Sequence, residues 1–402
     1  MLFRLGLRNL VRNRRRTLLT ILALALGVAA VTGVRGFLNG LQGTLISGVS
    51  EGGMGALQVH ASGFMRSREG LPLSPALPRD PGFLTALAAV PGITALSPRI
   101  PFAGIVADKT GERSGMAIIQ GVDLAREAQV SPVRVRLVSE GFWPRGEHEG
   151  AIGVELARSL GISVGDKIAV LSNDVDGVLN GVEVKITATL SAPTMAEKKL
   201  LVLSLADAQL LLRMNEIIEV AVAVEAGIDV DVVADRVRAA IGPGVEVHSW
   251  RALMPFAEDA RRTQNAALRL VTAGFLVVVL MGVANTLLMN TLERAQEIGT
   301  LLALGMRRRM VLWLFLFEAA LTAAVGVVVG SVVGSAIVLG LSVNGVLLRT
   351  PGSSAKQLIV PYLTADFSIA VFILVVLGAV IAALLPSWRA SRLDPVAALT
   401  QR

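Results

Sequence analysis

The chain has no cysteine among its 402 residues. That excludes a disulfide framework, a thiolate zinc site and a lipidated cysteine. Aromatic residues make up only 4%, with a single tyrosine, too few for a platform that stacks bases or sugars. Charged residues are 17%, against about 25% in a soluble domain. The three histidines, His60, His148 and His248, stand far apart in sequence and lack i, i+4 partners, so no helical metal-ligand pair is visible. Acidic residues are scattered, and no pair of carboxylates stands out for acid–base work. No G-x-x-x-x-G-K-[ST] run occurs, so these residues carry no P-loop to cradle the phosphates of ATP.

Apolar sequence is what the chain has in excess: 53% of residues, with a mean hydropathy of +0.64. A bilayer-spanning helix needs about 20 such residues in a row. Four segments meet that need: 17–38, 267–291, 311–342 and 367–386. The first is longer than a signal-peptide core and no clean cleavage site follows, so a retained helix is expected. The net charge of +7 gathers at span ends. Arg4, Arg8, Arg12, Arg14, Arg15 and Arg16 precede the first span. Arg294, Arg307, Arg308 and Arg309 lie between the second and third, and Arg389, Arg392 and Arg402 follow the fourth. The loop at 343–366 has only Arg349 and Lys356. This bias puts both termini and the central loop in the cytoplasm. It reads as an orientation signal and not as nucleic-acid binding. Segment 39–266 then lies on the opposite side.

In the leader, 1–16, arginines recur every four residues opposite Phe3, Leu7, Leu10 and Val11. That pattern is an interfacial amphipathic helix, either a lipid anchor or a surface that also touches a cytoplasmic partner. In the third span, Thr322, Gly326, Gly330 and Gly334 share one face. Small residues at this spacing let helix backbones approach closely, within one chain or between two. Glu318 lies inside the same span, where an ionisable group needs headgroups or a partner, such as an arginine of the central loop.

Segment 39–266 reads as α+β. Strands are expected at 56–61, 102–107, 116–120, 167–171, 183–190, 219–225 and 245–249. Helices are expected at 81–90, 154–160, 204–214 and 231–241, the whole forming two lobes. Ser163 falls in a G-x-S-x-G run. A nucleophile elbow needs a strand before the serine and a helix after it. Here the order is reversed, so Ser163 reads as part of a turn.

The central segment, 292–310, carries Glu293, Arg294, Glu297, Arg307, Arg308 and Arg309 and two glycines, Gly299 and Gly305. Its helical pattern predicts a docking element. The run Glu293-Arg294-Ala295-Gln296-Glu297-Ile298-Gly299-Thr300-Leu301-Leu302-Ala303-Leu304-Gly305 resembles the ER-x-x-EIG-x-L-x-A-x-G segment of FtsX-like, MacB-type ABC permeases. Phe317-Glu318-Ala319, the closing stretch from Pro386-Ser387-Trp388-Arg389 to Leu399, and the leader from Leu7 to Thr17 match the same family. The resemblance covers the whole chain. Gly121-Val122-Asp123, the stretch from Gly161 to Asp166, and Trp250 look most like the lipoprotein-releasing (Lol-type) members. One departure is the short connection at 172–182, SNDVDGVLNGV, where carrier-recruiting members have a long hook.

The resemblance implies an α-helical membrane domain with four transmembrane helices (1+3) and a large α+β extracytoplasmic domain. It implies a non-catalytic permease of the bacterial inner membrane, with its large domain periplasmic. A second permease subunit, the same or different, and a cytoplasmic ABC ATPase dimer that binds ATP and Mg would complete it. Glu293, Arg294, Glu297, Gly299, Gly305 and Arg307 would couple to that ATPase. The implied task is extraction of lipoproteins toward the outer membrane, handed to a periplasmic carrier. The alternatives are MacB-like export of another substrate and FtsX-like control of a periplasmic hydrolase. No resident cofactor or metal and no nucleic-acid partner is implied; membrane lipids are.

Overall fold

The computed structural model describes residues 14–191, 196–293, 300, 302–303, 306–349 and 356–392. The expected leader helix up to residue 13, most of the central segment and the tail beyond 392 lie outside these. The chain divides into two compact units.

The first unit is built from long apolar helices: Arg14–Val49, Pro255–Glu293, Arg308–Asn344 and Ala365–Ser391. Each contains a stretch long and apolar enough to cross a membrane. They are called the first to fourth spans. The helices overrun the apolar segments because polar residues continue the helical pattern beyond the hydrocarbon. In the fourth span the helix passes through Pro386, where the sequence suggested its end.

Small residues set the packing. A Cβ on Gly326 would lie 2.7 Å from Leu24 Cβ, one on Gly330 2.6 Å from the Ala25 carbonyl oxygen, and one on Gly334 2.7 Å from Thr32 Cβ. The glycine face of the third span therefore packs on the first span of the same chain. Of the two uses open in the sequence, the structure has the one within the chain. Gly27 of the first span receives the Phe275 ring of the second, and Gly378 of the fourth receives Leu280. Leu24, Val28, Ala319, Ala323, Val327, Val375 and Ala379 form the shared core. The loop before the fourth span is tied to the first by the Tyr362 N–H, which donates to the Gly36 carbonyl at 3.2 Å. Between the third and fourth spans the strands Val346–Arg349 and Lys356–Ile359 pair as a hairpin, where only a loop was expected.

The second unit holds residues 43–259 together with 347–358, which include most of that hairpin. Its strands are β1 (Leu57–Ala61), β2 (Ile93–Ala107), β3 (Ser114–Val122), β4 (Val138–Gly141), β5 (Glu149–Gly153), β6 (Lys167–Asn173), β7 (Leu179–Leu190), β8 (Leu200–Ser204), β9 (Glu219–Val224) and β10 (Val245–Ser249). Its helices include α1 (Pro81–Ala88), α2 (Leu124–Val130), α3 (Pro132–Arg136), α4 (Val154–Leu160), α5 (Leu205–Leu212), α6 (Val230–Ile241) and α7 (Trp250–Leu253). All the strands and helices predicted for this segment are present, several of them longer. β4, β5, β8, α2 and α3 were not foreseen, being short and without clear periodicity.

The sheet is continuous. β2, β3, β8, β5, β7 and β6 pair in turn, and β6 returns to β2, so six strands close a ring. Closure leaves the six ring strands without an open edge, and β10 and β4 are the end strands of the sheet outside it. The ring is possible because β2 is 15 residues long and changes partner along its length. Its residues up to Arg99 pair with β9, and Ile105–Ala107 pair with β6. β1 and β10 extend the sheet beyond β9. The two expected lobes are thus fused through one strand, and a single core runs through both, from Val59, Val222 and Val247 to Phe102, Ile119, Ile152 and Leu203.

The close approach of the spans yields a test. Gly330→Leu forces the first and third helices apart and is expected to cost about 1–3 kcal/mol, the range for overpacking. Gly340→Leu, where nothing lies within 4 Å of the added Cβ, is expected to leave stability unchanged. Thermal unfolding of the full chain in detergent distinguishes them.

Candidate functional site: a buried arginine clamp

The first span does not stop cleanly. After Val49 the backbone forms a π-helical turn, Ser50–Met54, in which Gly53 adopts φ 155° and Gly55 follows at φ 84°. A side chain at either position would be strained. The turn widens the helix end and leaves carbonyl oxygens without helical partners, as any helix C-terminus does.

Two buried arginines meet them. Arg99 Nη1 donates to the Gly53 carbonyl at 2.5 Å, and Arg134 Nε donates to the Gly52 carbonyl at 3.2 Å. A cation suits this end of a helix because the aligned peptide dipoles leave it partly negative. Arg99 sits on β2 and is fully buried. It grips Glu127 of α2 with two bonds, Nε to Oε2 and Nη2 to Oε1, both 2.8 Å. Its Nη2 also donates to Ser131 Oγ at 3.1 Å. Arg134, on α3, donates through Nη1 to Glu127 Oε1 at 3.0 Å and to Gln120 Oε1 at 2.8 Å. Glu219 stands directly opposite Arg99 in the β2–β9 ladder, with Oε1 3.4 Å from Arg99 Nη1.

The electrostatics are those of a closed network. Burial works against the Arg99 charge, but the carboxylates of Glu127 and Glu219 outweigh it and raise its pKa. Burial likewise opposes the Glu127 charge, yet Arg99 and Arg134 hold its carboxyl below the ordinary value. Such a network adds little net stability over an apolar core. Removing one member leaves buried charge uncompensated and is costly. What it supplies is position: the helix end is bound to β2, α2 and α3 at once.

None of these residues stood out in the sequence. The side-chain partners of Arg134 lie 7 and 14 positions away, but those of Arg99 lie 28 to 120 positions away. The traces left are a lone arginine in the S-P-R-I-P run and the glycines of E-G-G-M-G just after a span.

Of the residues predicted for coupling, Glu293 is the last described residue of the second-span helix. Arg307 is exposed and caps the start of the third-span helix, its carbonyl accepting the Met310 N–H at 2.8 Å. Leu302 and Met306 pack on Val311 and Phe315, which folds part of the central connection against the third span. Arg294, Glu297, Gly299 and Gly305 lie outside the described residues. Glu318 is buried, 4% exposed, and its carbonyl accepts from Thr322 Oγ1 at 2.8 Å.

His60 and His248, distant in sequence, lie on the neighbouring strands β1 and β10 with ring centroids 6.3 Å apart. His60 is buried and stacked on Phe64, and desolvation lowers its pKa. His148 Nδ1 is 2.9 Å from Asp207. Among the described residues no three potential ligands gather into a metal site. Ser163 lies in the turn between α4 and β6, its N–H bound to Asp166 Oδ2 at 2.9 Å. Trp250 is buried at the start of α7.

Glu127→Ala is expected to destabilise the 43–259 unit by roughly 3–5 kcal/mol, the cost of stranding buried charge. Because the folded pKa of Glu127 is depressed, its contribution is complete above the ordinary carboxyl value of 4.5 and is lost as pH falls below it. Denaturant unfolding of the full chain at pH 7 and pH 4 should show the wild type losing stability on acidification and the variant losing less.

Comparison with known proteins places the chain. A MacB-like periplasmic core domain matches residues 17–240, and an FtsX-like permease C-terminal region matches residues 269–395. The macrolide export ATP-binding/permease protein MacB of Acinetobacter baylyi is 24% identical over 99% of this chain and 59% of its own length. The pyoverdine export ATP-binding/permease protein PvdT of Pseudomonas entomophila is 39% identical over 35% of this chain and 20% of its own length. The chain thus spans at most about three-fifths of these two relatives. The crystal structure of the periplasmic region of MacB from Actinobacillus actinomycetemcomitans aligns with a TM-score of 0.37 at 11% identity, covering 50% of this chain and 92% of that one. Four apolar helices, a large domain inserted between the first and second of them, and two family matches that together cover most of the sequence lead to one assignment: the chain belongs to the FtsX/MacB-type ABC transporter permeases, as a membrane protein with an extracytoplasmic domain.

Proposed function

We propose that this chain is the force-transmitting part of an ATP-driven export machine in a bacterial inner membrane. The arginine clamp is the observation that carries this reading. The first helix is continuous from Arg14 to Val49, and its last turns, from Gly43, already belong to the extracytoplasmic unit. The end of that helix is fastened to three elements of the domain by charge-assisted hydrogen bonds, the stronger kind. A displacement of the helix would be delivered to β2, α2 and α3 without slack.

The drive would come from a nucleotide-binding unit outside these 402 residues, since they hold no P-loop. That unit would bind ATP and Mg. It would push on the central connection, where Glu293, Arg294, Glu297 and Arg307 present charge and Gly299 and Gly305 allow close approach or a sharp turn. With both termini cytoplasmic, two permease copies or a pair of related subunits would sit over two such units.

For cargo, the reading is export of a substrate from the periplasm. The names of the MacB and PvdT relatives support it. So does the β6–β7 connection. It is a tight hairpin: Asn173 pairs with Leu179, and Asp174 Oδ1 accepts the N–H groups of Asp176 and Val178 at 3.0 and 2.8 Å. No arm extends there to receive a soluble carrier. Lipoprotein extraction is the second reading, and one feature favours it. An apolar crevice among the first, second and fourth spans is lined by Val28, Val31, Phe275, Leu276, Val371 and Leu374, a surface suited to an acyl chain.

The test is reconstitution of the full chain with its ATPase in proteoliposomes. Arg99→Met and Glu297→Lys are each expected to reduce transport at least tenfold while membrane insertion and basal ATP hydrolysis persist. Transport unchanged in both variants would overturn the proposal. Mass spectrometry of material co-purified in mild detergent separates the cargo readings: an acylated protein released on ATP addition favours extraction, and its absence favours export.

A further inference from the structure

Arg35 lies at the far end of the first span's apolar stretch. At 1.5 Å per residue it stands about 27 Å along the helix from Thr17, against a hydrocarbon thickness of about 30 Å. Its level is therefore where hydrocarbon gives way to head groups, on the side that leads into the extracytoplasmic domain. Two neighbours agree with that level. Phe367 opens the apolar stretch of the fourth span. Tyr362, half-exposed and bonded through its N–H to the Gly36 carbonyl, is of the type that gathers at membrane–water interfaces.

The Arg35 charge is unbalanced. Its guanidinium carbon stands 5.6 Å from the centre of the Phe367 ring, a cation–π contact. Its Nε is buried and meets no acceptor. Among the described residues no carboxylate pairs with it and no carbonyl accepts from it. Asp366, one position before Phe367, is exposed and forms no ion pair with Arg35. A ring face attracts a cation but does not neutralise it. A charge at the membrane boundary needs a counter-ion, and the guanidinium fork matches a phosphate.

Toward the membrane centre from Arg35 lies a groove for the other half of a lipid. Val28, Val31 and Arg35 follow at three and four positions on the first helix, and Phe367, Val371 and Leu374 at four and three on the fourth, so each set shares a face. Val28, Val31, Val371 and Leu374 line the apolar crevice among the first, second and fourth spans. The crevice thus ends, toward the outer leaflet, at the Arg35–Phe367 pair. The Thr272 hydroxyl at its wall is committed to the Leu268 carbonyl at 2.8 Å. The groove by itself would accept any apolar chain; the unbalanced cation at its mouth selects one that carries an anion.

We propose that the crevice and Arg35 form a site for an anionic phospholipid of the outer leaflet, with one acyl chain in the crevice and the phosphate on the Arg35 Nη groups. A zwitterionic lipid brings a phosphate with its own cation and leaves the arginine charge unbalanced. The site rests on the four-span membrane assignment, and not on force transmission or on either cargo reading.

The probes are phosphatidylglycerol with a photoactivatable diazirine in its acyl chain and phosphatidylcholine with the same chains. Each is titrated into lipid nanodiscs holding the full chain, and cross-linked peptides are quantified by mass spectrometry. Labelling at residues 28–31 and 371–374 is expected to saturate, with phosphatidylglycerol at least fivefold above phosphatidylcholine. Labelling at Leu339, an exposed residue of the third span, should rise in proportion to either lipid. Arg35→Gln should abolish the preference at the crevice and leave Leu339 unchanged, whereas Arg35→Lys, which keeps the charge, should retain it. Glycerol 1-phosphate, the free head group, should not compete even in large excess, since it brings no chain. Equal labelling by the two lipids, a preference that survives Arg35→Gln, or displacement by glycerol 1-phosphate would overturn the proposal. No labelling at Leu339 either would overturn the membrane assignment on which the site rests.

Discussion

A helix that leaves a membrane and enters a folded domain must end, and its last carbonyl oxygens must find donors. In this protein the donors are the guanidinium groups of Arg99 and Arg134, brought through the domain interior to the carbonyls of Gly53 and Gly52. Everything around that junction follows from the need to keep two buried cations satisfied. Glu127 answers both, Ser131 and Gln120 take remaining donors, and Glu219 stands across the ladder from Arg99. Gly53 and Gly55 follow from the same need, because the turn that exposes the carbonyls uses backbone angles with φ of 155° and 84°.

The sheet topology puts the clamp where it can act. Arg99 lies where β2 passes from β9 to the closed ring. A force applied there is shared between the ring and the β9–β1–β10 extension. Among the spans, rigidity has a different source. Gly326, Gly330 and Gly334 bring the third helix onto the first at backbone distance, so dispersion forces act over a large contact. The chain thus has a tight apolar contact within its membrane helices and a tight polar one at the end of the first.

Much of this was legible in the residues. Runs of about 20 apolar residues and clustered arginines marked the spans, since the bilayer leaves little freedom in composition. Alternation located the strand at 183–190, within β7, and Val154–Leu160 was legible as a helix up to its glycine stop. The family motifs in the central segment and tail were specific enough to name the class. The clamp was not legible, because its members come from β2, β3, β9, α2, α3 and the turn after the first helix, and each looks ordinary alone. The proximity of His60 and His248 was hidden for the same reason: strand pairing, not local spacing, brings them together. β5 and β8 were missed because buried strands of five residues lack a visible alternation.

The central claim is that the end of the first helix and the extracytoplasmic domain move as one body. The absence of native cysteine lets two spin labels be placed without background, at Leu45→Cys near the helix end and Val232→Cys on α6, both exposed. Distances between them, measured by pulsed electron paramagnetic resonance in complexes diluted with unlabelled chains, should form one narrow distribution that stays fixed through the ATP cycle. In Arg99→Met the distribution should broaden. A wild-type distance that shifts between nucleotide states would contradict the account.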